Sequence, residues 1–343
     1  MERVILDIDG GGGDKLAILF AAASPDLKLE GVTTVSGAAG GVTQATETAL
    51  NALAWAGRQD IPVAAGAWRP IVGNAKADME AAVQFEKRLV ACVGDRLKTF
   101  GAAALAGDKP PLAGHAVDFI LDRARAAPGE ITLVSTGPLT NVAMAFLQAP
   151  DFGGLLKRLV IFGGAISAPG NMTPIAEYNI WADPEAARIV LNADVDKILA
   201  PLDARQGGRG AADPPTRDAI VDLAATAADN PVIAMIEAVF PIHGDLCGEV
   251  LDVEVSPLDG VMAAALAFAP DLCAMTGPYF VDVALEGRLC RGQTVAYRGR
   301  QILPGGGPKT TRICADVDGP RLFALFEQTM RRYERRAASA GSV

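Results

Sequence analysis

The chain has 343 residues, 50% of them apolar and 21% charged, with a formal net charge of −9 and a pI near 4.9. That balance suits a globular protein with a large buried core. The acidity argues against a nucleic-acid partner, because the only basic concentration, Arg331, Arg332, Arg335 and Arg336, reads as the solvated face of a last helix.

In chain order, Arg3–Ile8 reads as a buried strand and Asp14–Ala23 as a helix. Leu27–Val35 reads as the next strand, and Thr43–Ala56 as a helix closed by Gly57. There follow a strand at Ile131–Ser135, a helix at Leu139–Gln148, a strand at Leu159–Phe162, a helix at Pro184–Asn192 and a strand at Lys197–Pro201. Arg205–Pro215, rich in Gly, Arg, Asp and Pro, reads as a loop, and residues 216–248 as helices beside the site. Strands resume at Gly277–Leu285 and Gln293–Tyr297, and a helix runs from Gly319 onward. The β-α-β-α alternation predicts an α/β fold, a mostly parallel open sheet with helices on both faces. With no break in composition, residues 1–343 read as one domain.

The five cysteines (Cys92, Cys247, Cys273, Cys290, Cys314) form no C-x-x-C pair, so neither a zinc ribbon nor a disulfide framework is indicated, and reduced core thiols are expected. Met1 runs straight into Val4-Ile5-Leu6 without a basic leader or a long apolar stretch. The expectation is a cytoplasmic protein with no signal peptide and no membrane contact.

Polar residues at strand ends come next, since open α/β sheets bind ligands there. The first strand ends in Asp7-Ile8-Asp9-Gly10-Gly11-Gly12-Gly13-Asp14. Carboxylates around a glycine run suit a hard divalent cation, because the flexible backbone lets separated acids converge. The plainer alternative makes Asp14 a helix cap and Asp9 a loop residue. A phosphate cradle lacks the G-K-[ST] ending. A phosphatase using Asp7 or Asp9 as nucleophile needs a later Lys and an acidic pair that the sequence does not convincingly supply.

A second landmark is Ser135-Thr136-Gly137-Pro138-Leu139-Thr140-Asn141, followed by Gly163-Gly164-Ala165, Gly170-Asn171-Met172-Thr173-Pro174, Ala176-Glu177-Tyr178-Asn179 and Asp183-Pro184-Glu185-Ala186-Ala187. With the opening turn, Ala65-Gly66 to Pro70, Pro257-Leu258-Asp259, and Leu285-Glu286-Gly287 through Arg291-Gly292, these segments resemble the inosine-uridine-preferring nucleoside hydrolases along essentially the whole chain.

The resemblance implies a calcium-dependent N-ribohydrolase, commonly a homodimer or homotetramer, acting on a small nucleoside or N-riboside. The implied metal ligands are Asp9, Asp14, the main-chain carbonyl of Thr136, and Asp259, with Asp9 also the base for the attacking water. Asn171, Glu177 and Asn179 would hold the ribose hydroxyls, and Asp259 would serve both metal and substrate. The chemistry is consistent, since an oxocarbenium-like state needs nearby negative charge and an activated water. Glu177 and Asn179 lie two apart, which on an extended backbone would put them on one side. A capping role at the helix near Asp183 is the alternative.

Three departures from the family pattern stand out. Gly10 and Gly13 stand where a proline and an acid are usual in D-x-D-P-G-x-D-D, and that acid contacts the ribose 2′-hydroxyl. Ala38 follows Gly37 where Asn is frequent. Leu258 precedes Asp259 in place of a histidine that would protonate the leaving base. Of the two histidines, His115 reads as a helix-start or surface residue, and His243, in Phe240-Pro241-Ile242-His243, is the candidate substitute acid. Trp68, Trp181 and Tyr178 are further leaving-group contacts to test. The depleted set keeps a non-enzyme alternative open, a calcium-containing nucleoside- or pentose-binding protein.

Overall fold

The computed structural model describes residues 1–11, 13–37, 41–73, 109–205, 232, 258–299 and 306–340, with side chains as far as Tyr333 in the last helix. The elements are β1 (Glu2–Ile8), α1 (Asp14–Ala23), β2 (Leu27–Thr34), α2 (Val42–Trp55), β3 (Val63–Ala65), α3 (Ala116–Ala126), β4 (Ile131–Ser135), α4 (Thr140–Gln148), α5 (Phe152–Leu155) and β5 (Leu156–Phe162). Then come α6 (Tyr178–Ala182), α7 (Pro184–Leu191), β6 (Lys197–Ala200), a 3-10 turn at Leu202–Arg205, α8 (Asp259–Leu266), β7 (Cys273–Tyr279), β8 (Val281–Val283), β9 (Thr294–Ala296), β10 (Thr311–Val317) and α9 (Gly319–Ala340).

Eight strands form one sheet in the order β3-β2-β1-β4-β5-β6-β10-β7, and β8 pairs with β9 separately. Every pairing in the large sheet is parallel except that of β10 with edge strand β7. Alternation along β1 explains why helices cover both faces. Val4, Leu6 and Ile8 pack into one apolar cluster with α1, α2, α8 and α9, while Ile5 packs into the other with α3, α4 and α7. The chain leaves β1 toward β2 and β3 on one side and returns to β4, β5 and β6 on the other. The strand order therefore reverses between β1 and β4, which is where such sheets open a crevice at their carboxyl ends.

The expected α/β architecture is thus present, and most early elements lie within a residue or two of their expected bounds. Several elements were not anticipated, among them the short helices α5 and α6, and α8 and β10 show why. In α8 all eight residues are buried, so it carries no polar stripe to reveal its period. In β10, Arg312 and Asp316 interrupt the apolar pattern. The single strand expected at Gly277–Leu285 is instead β7 and β8, divided at Phe280. The expectation of reduced thiols is corrected at one pair: Cys273 on β7 and Cys314 on β10 form a disulfide, brought together by the antiparallel pairing of edge strand β7 with β10, a strand the sequence reading had not placed. Residues 206–231 and 233–248, which include His243 and most of the expected loop and helices, lie outside the described residues. Among the described residues, no helix is long and apolar enough to cross a membrane.

Candidate active site

Asp7 pairs with Thr33 of β2 on one side and Ser135 of β4 on the other, so Asp9, two residues on, stands at the strand tips beside the reversal. The site is built around its carboxylate, which is 3% exposed. Asp9 Oδ1 accepts from the Gly11 amide at 3.0 Å, closing the turn on itself. Gly10 adopts φ +79, a left-handed conformation closed to the proline that its family position usually carries. The exchange at Gly10 therefore alters how the turn is built.

Asp14 does not cap α1; that place belongs to Gly13, and no side chain caps it. Its carboxylate points back into the turn instead, with Oδ2 accepting from the amides of Gly10 (2.8 Å) and Asp9 (3.2 Å), and Oδ1 from Thr136 Oγ1 (2.6 Å). Burial, and then the neighbouring charge of Asp9, push the Asp14 carboxyl well above its ordinary range. The Thr136 carbonyl, from the tip of β4, accepts from Asn179 Nδ2 at 3.0 Å, and the same Nδ2 donates to Phe162 O at 3.1 Å.

Asn179 and Glu177 do not lie on an extended strand, as expected. Glu177 is the N-cap of α6 and Asn179 is inside that helix. Glu177 Oε2 accepts from the amides of Gly164 (2.8 Å), Asn179 (3.0 Å) and Ile180 (3.3 Å), while Oε1 takes no part in those bonds. The capping alternative thus holds for Glu177, one helix earlier than supposed. Asp183 caps α7, its Oδ1 accepting from Ala186 N at 3.0 Å. Burial raises the Glu177 carboxyl to about 7 against the lowering effect of its three amide donors. Asn171 Oδ1 accepts from Tyr178 N at 2.8 Å, which fastens the Gly170–Pro174 loop to the start of α6.

Asp259 opens α8, and the next residue, Gly260, packs on Gly13 O and Ala17, so the late acid comes beside the first turn of α1. There it meets a residue the sequence reading had left in a loop. Arg205 Nη1 lies 3.2 Å from both carboxylate oxygens of Asp259. The only sequence signal was an arginine a few residues beyond a strand end. Leu258, where the family's histidine would stand, is 3% exposed and belongs to the apolar cluster under α1 and α8. His115 caps α3, its Nδ1 accepting from Val117 N at 3.2 Å. Trp68 is exposed and Tyr178 and Trp181 are half-buried. Ala38 and His243 lie outside the described residues. Among the described residues, no three His, Cys, Asp or Glu side chains form a ready-made metal cluster.

A doubly wound sheet with buried acids and amides gathered at its switch point defines a class of small-ligand α/β protein. The pattern of the inosine-uridine preferring nucleoside hydrolases matches residues 4–324, and the chain belongs to that family. It is 30% identical to a pyrimidine-specific ribonucleoside hydrolase, RihA of Salmonella gallinarum, over 333 residues, 96% of this chain and 98% of that protein. Over 204 residues it is 40% identical to an uncharacterized protein of Schizosaccharomyces pombe, 59% of this chain but only 61% of that protein's length. The solved structure of a plant nucleoside hydrolase, PpNRh1, matches with a TM-score of 0.79 and 27% identity, covering 97% of this chain and 99% of the other.

Proposed function

We propose that this chain hydrolyses the N-glycosidic bond of a ribonucleoside or related N-ribosyl compound, with calcium held by Asp9, Asp14, the Thr136 carbonyl and Asp259. It would work as one domain over residues 1–343, in the cytoplasm, as a homodimer or homotetramer. The observation that carries the reading is the buried Asp9–Asp14 pair at the β1/β4 switch point, with Glu177 and Asn179 at the neighbouring strand end. The donors fit a hard cation in kind, being carboxylate and carbonyl oxygens. They fit in charge as well, since a cation would offset both the burial of the Asp14 carboxylate and its repulsion from Asp9. Asp259 would exchange its contact with Arg205 for that ion.

When bound, calcium supplies a Lewis-acidic centre that makes a water a better nucleophile. Asp9 would act as the base that takes a proton from the attacking water. Glu177 and Asn171 would hydrogen-bond the ribose hydroxyls. The clustered carboxylates stabilise positive charge developing on the sugar. His243 is the candidate acid for the leaving base, since Leu258 offers no proton.

The second reading, a calcium-containing nucleoside- or pentose-binding protein, is favoured by the core packing of Leu258 and by Gly13. The phosphatase alternative loses Asp7 as nucleophile, because that side chain is fully buried and bonded to Thr33 and Asn141. The separating experiment uses p-nitrophenyl β-D-riboside, whose leaving group departs without an acid. Cleavage that disappears in Asp9→Ala supports the hydrolase. Ribose or nucleoside binding with no cleavage of this substrate or of uridine and inosine leaves the binding protein.

A further inference from the structure

The reading above makes Asp9 the base but leaves open what holds it in place. Its carboxylate sits in a slot between two glycines from different strand tips. A Cβ on Gly37, just past β2, would come 2.3 Å from Asp9 Oδ2, and one on Gly137, just past β4, 2.9 Å from Asp9 Cβ. The slot is therefore shaped by how far β1 and β2 are offset at their ends. One buried amide spans that offset. Asn141, in the first turn of α4 and 0% exposed, donates through Nδ2 to Asp7 Oδ1 of β1 (2.8 Å) and to Thr34 O of β2 (2.9 Å). Its Oδ1 accepts from Ala67 N, just past β3, at 2.9 Å. Ala67 O in turn accepts from Ser36 N at 2.8 Å, one residue before the Gly37 that walls the slot.

Asp7 is held from few directions. Oδ1 has Thr33 Oγ1 at 2.7 Å and the Asn141 amide, while Oδ2 has no hydrogen-bond partner among the described residues. Without Asn141, the end of β1 would lose one of the two side-chain donors seen among the described residues, and the β3 tip its side-chain tie at Ala67. Among the described residues, the hydrogen bonds of Asn141 go to Ala67, Asp7 and Thr34, not to the proposed metal ligands or ribose contacts.

We propose that Asn141 is a positioning residue for the hydrolytic step, fixing the offset of the β1, β2 and β3 tips and with it the place of the Asp9 carboxylate. The proposal rests on the hydrolase reading of Asp9. Loss of placement at a reacting group degrades kcat without weakening the sugar contacts, which lie on the β5 side of the site.

The test compares Asn141→Asp, which keeps the side chain's shape, and Asn141→Ala with wild type on uridine and p-nitrophenyl β-D-riboside. The expected result is a fall in kcat on the order of 100-fold, with KM and inhibition by free ribose within about threefold. Asp183→Asn is the control, because Asp183 is equally buried and hydrogen-bonded, to Ile71 N, Thr140 Oγ1 and Ala186 N, but does not touch the tips of β1 or β2. It should lose thermal stability yet keep kcat. Unchanged kcat in both Asn141 variants, or an equal loss of kcat in Asp183→Asn, overturns the proposal. Wild-type protein with no turnover would sink the hydrolase reading instead. Positioning would then be read from a crystal structure of Asn141→Ala, in which an Asp9 carboxylate unmoved between Gly37 and Gly137 overturns it.

Discussion

Gly37 lies so close to Asp9 that any side chain at position 37 would begin 2.3 Å from the carboxylate oxygen Oδ2. Real Cβ atoms do not approach a heavy atom so closely, and Gly137 also flanks Asp9, where an added Cβ would come 2.9 Å from Asp9 Cβ. Gly37→Ala should therefore displace the carboxylate and lower kcat/KM by about 100-fold, as misplacement of a reacting group by roughly 1 Å does. Steady-state hydrolysis of p-nitrophenyl β-D-riboside checks this, with circular dichroism to confirm folding.

Glu177 gives a pH signature. Burial raises its carboxyl from 4.5 to about 7 in the folded protein, so between those values the folded state holds a proton that the unfolded chain has lost. Its contribution to stability therefore falls as pH rises from about 4.5 to about 7. Glu177→Gln removes this dependence. The stability of the variant relative to wild type should grow by up to about 3 kcal/mol between pH 4.5 and pH 8. Urea unfolding at the two pH values checks it, and a difference that does not change with pH contradicts it.

Lys197 is fully buried on β6, and burial lowers its ammonium from 10.5 to about 8, with Thr310 Oγ1 accepting from it at 2.7 Å. Here the unfolded chain binds the extra proton between about 8 and 10.5, so this group makes stability rise with pH across that window. Lys197→Met should abolish the rise relative to wild type. Thermal unfolding of both proteins at pH 7.5 and pH 10 checks it.

The Cys273–Cys314 bond closes a loop with a sequence separation of 41 and ties edge strand β7 to β10. Breaking such a loop costs about 4 kcal/mol in the chain-entropy account. Cys314→Ser, or reduction of the wild-type protein, should lower the urea midpoint accordingly. Alkylation under denaturing, non-reducing conditions should leave Cys273 and Cys314 unlabelled.

Much of this molecule was legible because the first half of the sheet obeys local rules. Strands β1 and β4 are built around short apolar runs, Val4-Ile5-Leu6 and Leu133-Val134, and α1 and α7 start at turn chemistry that can be recognised by eye. Most of the candidate site residues were picked out for the same reason, as polar side chains just past a strand end or at the start of a helix. What escaped depends on neighbours remote in sequence. The α8 helix has no polar face to betray it, and the disulfide needs an antiparallel edge pairing that joins residues 41 apart. Arg205 meets Asp259 across 54 residues. Asn141 was visible as part of a motif, but its role emerges only where three strand tips converge on one amide. The extended geometry supposed for Glu177 and Asn179 failed because the Glu177 carboxylate can gather three backbone amides, and that starts a helix.

The most direct measurement is calorimetric titration of chelator-stripped protein with calcium, run beside p-nitrophenyl β-D-riboside hydrolysis on the same samples. Wild type should bind one calcium per chain, with hydrolysis returning in proportion to occupancy, and both should be lost in Asp9→Ala and Asp14→Ala. Hydrolysis at full rate in stripped protein, or calcium binding that survives both substitutions, would contradict the account.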